Sequence, residues 1–107
     1  MLFTAAHLAG AALQFESYLD DGAVFYLNGT EVYRLRMPAA PAVIGNATVA
    51  SGFPCGGDAT CPDSFTLSGP VVAANLLAGD NVLAVEVHNY DVGSPDITFG
   101  LAANYTV

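Results

Sequence analysis

Residues 20–35 read DDGAVFYLNGTEVYRL. Asp20-Asp21-Gly22 turns the chain into an alternating run, Asn28-Gly29 reverses it, and a second alternating run leads back out. Two such runs joined by Asn-Gly predict a β-hairpin, because both turn residues must tolerate φ > 0. The predicted strands are Ala23–Leu27 and Glu31–Leu35. Phe25 and Leu27 fall on one face, Val24 and Tyr26 on the other.

Outward from the hairpin the same period continues. Ala11–Leu19 places Leu13, Phe15 and Ser17 on one side and Gln14, Glu16 and Tyr18 on the other. Val82–His88 sends Leu83, Val85 and Val87 inward and Ala84, Glu86 and His88 outward. Ser64–Leu67 begins another strand, Ile97–Tyr105 closes the chain as the last, and residues 2–6 read as the end of one more. Between them, residues 37–64 are rich in proline and glycine, with Val43–Ile44 and Ala47–Val49 as candidate short edge strands. Pro70–Leu77 reads as a short helical turn before the turn at Ala78-Gly79-Asp80-Asn81. Short strands separated by frequent turn signals predict an all-β fold, an antiparallel β-sandwich or jelly roll. At 107 residues the chain makes a single β-sandwich domain, 1–107.

Composition excludes several function classes. Two basic residues, Arg34 and Arg36, stand against ten acidic ones, for a formal net charge of −8. Nucleic-acid and anionic-membrane binding both need a basic patch that this chain lacks. The absence of lysine also leaves edge strands without their commonest guard against edge-to-edge pairing. No stretch approaches the length of apolar residues that a membrane-spanning helix requires. The start, MLFTAAHLAGAAL, lacks a basic region before an apolar run and reads as part of the fold rather than a signal peptide.

Cys55 and Cys61 enclose a short loop. A zinc site would need a second Cys/His pair and a dithiol redox site needs C-x-x-C, so the expected role is a local disulfide. By the chain-entropy account, so small a loop contributes about 2 kcal/mol. Asn28, Asn46 and Asn104 each open an Asn-x-Thr sequon at a predicted turn, loop or terminus. Three sequons and a disulfide together predict an extracellular, secreted glycoprotein.

From Leu13 onward the chain resembles the galactose-binding-like jelly-roll modules, similar to carbohydrate-binding modules, that accompany many secreted hydrolases and phosphatases. The resemblance is carried by Asp20-Asp21-Gly22, Tyr26, Asn28-Gly29, Glu31-Val32 and Met37-Pro38. It continues through Leu76 to His88 and Ser94-Pro95-Asp96-Ile97-Thr98-Phe99. It covers about four fifths of the chain and is specific for fold rather than function. It implies a non-catalytic accessory domain, in which some members bind carbohydrate. Members of that family begin with one or two further strands ahead of the position of Leu13. Here only Leu2-Phe3-Thr4 correspond to them, which implies a sandwich lacking its N-terminal strand, with an open edge and an uncovered groove.

Glu86 and His88 share one face of a predicted strand, and the resemblance places Asp20, Asp21 and Asp96 near that strand's end. Carboxylates with an imidazole are the chemistry of a ligand or calcium site. The preferred alternative is that the aspartates shape turns and His88 is a satisfied strand residue. Tyr18, Tyr26, Tyr33 and Tyr90 would make a sugar-stacking platform if they shared a face. Ordinary sheet packing is the simpler account of tyrosines, and the chain has no tryptophan. No Ser, His or Cys lies in a recognisable catalytic setting, so no enzyme and no obligatory cofactor are expected. Two functions follow as expectations. One is an extracellular, non-catalytic module for adhesion or carbohydrate recognition. The other is a glycosylated structural subunit, whose partners are neighbouring copies joined into oligomers or filaments by strand exchange at the open sheet edge.

Overall fold

The computed structural model describes residues 2–3, 12–54, 61–90 and 98–106. Eight strands and one short helix follow in order. They are β1 (Leu2–Phe3), β2 (Ala12–Asp20), β3 (Gly22–Leu27), β4 (Thr30–Leu35), β5 (Asp63–Leu67), α1 (Pro70–Asn75), β6 (Gly79–Asp80), β7 (Leu83–His88) and β8 (Thr98–Thr106). Two three-stranded antiparallel sheets, ordered β5-β2-β8 and β4-β3-β7, form an all-β sandwich, and β1 pairs with β6 beside them.

The Asn-Gly turn forms as its chemistry demands. Asn28 takes φ 50 and Gly29 φ 85, and β3 pairs with β4 across them with a bulge between Phe25 and Tyr26. In β2 the alternation is strict: Leu13, Phe15, Ser17 and Leu19 are buried, while Gln14, Glu16 and Tyr18 are exposed. Those inward residues meet Ala23, Phe25 and Leu27 of β3. Phe65 of β5 is the hub of this core. Its ring stacks on Tyr33 at 4.0 Å between centroids and lies 5.0 Å from both Phe15 and Phe25. Proline at the start of α1 suits a first helical turn, and Val72 and Leu76 close this end of the sandwich against Leu13, Leu27 and Leu67.

β3 is buried on both faces, which its alternation does not announce. Val24, on the outer face, is covered by Met37, Ala50 and Ile44 of the loop after β4. That loop is pinned by hydrogen bonds from Ala50 N–H to Asn89 O (2.8 Å) and from Ser51 N–H to Arg36 O (2.7 Å). Where it crosses Gly22 there is no room for a side chain. A Cβ there would sit 2.6 Å from Arg36 O, 2.7 Å from Ala50 Cβ and 2.8 Å from Met37 Sδ.

Three local expectations are corrected. Val43–Ile44 and Ala47–Val49 form no strands. Gly45 and Thr48 close a turn instead, with Gly45 N–H on Thr48 Oγ1 and Thr48 N–H on Gly45 O, and Val43 is 92% exposed. Gly79-Asp80 is a short strand rather than only a turn, with Gly79 at φ 95. His88 points away from the sandwich core yet is only 6% exposed, because residues 46–50 lie over it. Cys61 is disulfide-bonded, while Cys55 lies outside the described residues.

Candidate functional site

Of the five residues singled out as a ligand or calcium site, the four described ones form no common ligand cluster, although Asp21 lies beside the end of β7. Asp96 lies outside the described residues. Asp20 and Asp21 are buried where β2 turns into β3, and Asp21 Oδ2 accepts the N–H of Tyr90 at 2.8 Å. Arg36 holds the same turn from the other side. Its guanidinium donates to Asp21 O (2.7 Å) and Leu19 O (3.1 Å) and pairs with Asp63 at 2.9 Å. Asp21 and the backbone of the Asp-Asp turn therefore hold the end of the sandwich together. Among the described residues no group of three or more His, Cys, Asp or Glu side chains is placed to hold a metal ion, so the calcium expectation gains no site here.

Glu86 and His88 are brought together. His88 Nδ1 lies 2.6 Å from the carbonyl of Thr48, which can only accept, so Nδ1 carries a proton and donates it. Nε2 lies 2.7 Å from Glu86 Oε2, with one proton between them. The imidazole is thus a satisfied strand residue, as the simpler reading had it. It also fixes the rotamer of a carboxylate whose side chain is 41% exposed. Around that carboxylate is a cleft of about 420 Å³ between residues 46–49 and the end of β7, lined by Asn46, Ala47, Val49, Glu86, His88 and Asn89 among others. The Oδ1 of Asn89 is buried and finds no hydrogen-bond partner among the described residues. Tyr26 lies on the same outer face, diagonal to Glu86 across the β3–β7 pair. Burial, then the charges of Glu86 and Glu31, push its phenol above the ordinary tyrosine range.

The cleft offers a fixed carboxylate acceptor, two amides and a small apolar wall from Ala47 and Val49. Such a set suits a neutral, hydroxyl-rich ligand with a C–H face. A second depression of about 320 Å³ lies on the outer face of the other sheet, lined by Gln14, Glu16, Ser64, Thr66 and Asn104 with parts of Phe15 and Phe65. Its outward side chains are exposed and polar, and none has an anchor comparable to the His88–Glu86 bond.

The four tyrosines form no platform. Tyr33 is stacked in the core, Tyr18 and Tyr26 face outward from opposite sheets, and Tyr90 meets Phe53 edge-on at 5.2 Å near the Asp-Asp turn. The three sequons also separate. Asn46 and Asn104 are exposed. Asn28 is built into the fold: its Nδ2 donates to Asn75 O (2.7 Å) and Asn81 Oδ1 (2.8 Å), and its Oδ1 accepts Val82 N–H at 2.8 Å. A glycan on that nitrogen would remove one of the two hydrogens that make these bonds. Asn28 thus differs from the other two sequon asparagines in having its amide engaged within the fold. Comparison with known protein families, with curated proteins and with solved structures gives no significant match for this chain.

Proposed function

We propose that this chain is an extracellular, non-catalytic β-sandwich module for adhesion or carbohydrate recognition, and that it takes a neutral sugar in the cleft over β7. The observation that carries the reading is the Glu86 carboxylate, fixed by His88 and 41% exposed in a cleft that Asn46 and Asn89 also line. The order of motifs from Asp20 to Phe99, with its resemblance to galactose-binding-like modules, supports the same assignment. The disulfide at Cys61 supports an oxidising compartment. The lining supplies one carboxylate and no side-chain hydroxyl or thiol, fewer groups than a glycosidase pair or an acyl-transfer nucleophile needs.

Calorimetric titration of a panel of neutral mono- and oligosaccharides tests the proposal. At least one sugar should bind saturably, and Glu86→Gln should weaken it by about tenfold, the worth of a charge-assisted hydrogen bond. No binding across the panel, or an unchanged affinity in Glu86→Gln, contradicts the assignment to this cleft.

A second reading is a structural subunit that associates with its own copies at an open sheet edge. It is favoured by β8, a nine-residue strand with β2 on one side and, among the described residues, no strand on the other.

A further inference from the structure

Each three-stranded sheet has two marginal strands, and they differ in charge. β4 carries Glu31 and Arg34, β5 carries Asp63, and β7 carries Glu86 and His88. β8, TFGLAANYT, carries no charge and no proline. In a chain of formal net charge −8, of the four marginal strands of the two three-stranded sheets it is the one along which two copies can approach without bringing carboxylates of that strand together.

The side of the sandwich at β8 is also incompletely covered. Register with β2 sets Phe99 beside Leu19, Leu101 beside Ser17, Ala103 beside Phe15 and Tyr105 beside Leu13. All four β2 partners are buried, so these β8 residues lie on the inner face. Yet Phe99 is 42% and Tyr105 43% exposed, and Leu83, Val85 and Val87 of the opposing β7 are only half-buried. Inner-face apolar side chains beside an uncharged backbone edge are what a paired strand would cover.

We infer that β8 is a homodimer interface, the edge of one copy pairing antiparallel with β8 of a second copy across a twofold axis at Ala102. This rests on the assembly reading and gives it a strand, a symmetry and a register. A strand paired antiparallel with itself over its full length must place its central residue opposite its own copy. Ala102 then faces the partner's Ala102, Leu101 the partner's Ala103, and Phe99 the partner's Tyr105. The two Phe–Tyr pairs fall on the inner face and fill the open ends of both sandwiches, and cross-strand aromatic pairs of this kind stabilise sheets. Alternate residues of β8 direct N–H and C=O away from β2, and these supply the ladder. The pairing makes one six-stranded sheet and ends there, because the closed twofold leaves no further copy of β8 exposed. The expected product is a dimer, not a filament.

Ala102 is exposed and points outward, so substitutions there leave the core untouched. The wild-type chain should change from monomer to dimer in sedimentation equilibrium between about 1 µM and 1 mM, the range of a modest interface. Ala102→Lys and Ala102→Glu each set like charges opposite one another at the axis, and each should weaken dimerisation by at least about tenfold. An equimolar mixture of the two should restore a heterodimer. If either variant fails to fold, Ala102→Cys decides. Opposed residues at the axis are within disulfide reach, so mild oxidation should give a covalent dimer retaining the native circular-dichroism spectrum. A wild-type chain that stays monomeric to about 1 mM overturns both the inference and the assembly reading. Association that persists in both charged variants, or that is not captured in Ala102→Cys, overturns the β8 interface and leaves assembly to another face.

Discussion

Asn28→Ala is the sharpest stability experiment, because one side chain joins three separated segments. Its amide donates to Asn75 O at the end of α1 and to Asn81 Oδ1 in the turn before β7, and its oxygen accepts Val82 N–H. Asn81 in turn accepts Leu77 N–H (2.8 Å) and donates to Leu77 O (2.9 Å), so losing Asn28 loosens a second asparagine. Two part-buried hydrogen bonds and one exposed one, at about 1 kcal/mol net each, give about 3 kcal/mol. Alanine at φ 50 adds about 1 kcal/mol, since Cβ disfavours the left-handed region. The expected loss is about 3–4 kcal/mol, a large share of the total stability of a domain this size. Urea denaturation followed by far-ultraviolet circular dichroism should show the midpoint falling with an unchanged slope. Asn28→Gly removes the same bonds without the backbone penalty and should recover about 1 kcal/mol of the loss. A cost below about 1 kcal/mol for Asn28→Ala would refute the claim that this residue ties the hairpin turn to the segment before β7.

Gly22→Ala should cost about 3 kcal/mol or leave the chain unfolded, since the new methyl meets the backbone oxygen of Arg36, which cannot move aside like a flexible side chain; the same urea titration reads it. Tyr26 should ionise above the ordinary tyrosine value when followed by phenolate absorbance, chiefly because it is desolvated and secondarily because Glu86 and Glu31 are near. A phenol whose pKa is raised on folding contributes stability that is fully present below the unfolded value of about 10 and is lost as pH rises through the folded one. Tyr26→Phe should flatten that alkaline loss, and Glu86→Gln should move the Tyr26 ionisation to lower pH. Expressed in a glycosylating host, the folded protein should carry glycan at Asn46 and Asn104 but not at Asn28, as read by mass spectrometry of its peptides.

Much of the fold is legible in local chemistry. Asn28-Gly29 needs φ > 0 at both positions, and the structure supplies it. The period of two in Leu13, Phe15, Ser17 and Leu19 survives intact because β2 is central in its sheet and has one face on the core. What local pattern cannot show is a second covering layer. His88 and Val24 alternate outward, and both are buried because a loop that reads as irregular returns over the sheet, with Met37, Ile44 and Ala50 on Val24 and Thr48 on His88. The apolar residues of that loop were the available signal. They were readable as short strands, but their spacing carries no information on where the loop folds back.

The candidate site divides in the same way. Glu86 and His88 are two residues apart on one strand, so period alone brings them together. Asn46 and Asn89 complete the cleft from parts of the chain joined only by tertiary contacts, and no spacing rule links them. The aspartates at the Asp-Asp turn take up structural roles that their sequence position does not announce. They are buried where two sheets meet, and Arg36 and the Tyr90 N–H lock that turn in place.

The measurement that tests the central claim most directly is a two-dimensional amide NMR titration of the isotopically labelled chain with the tightest sugar of the panel. Saturable shifts confined to residues 46–50 and 86–89, absent in Glu86→Gln, are the predicted result. Shifts that map instead to Gln14, Glu16, Ser64, Thr66 and Asn104, or that never saturate, would contradict a carbohydrate site over β7.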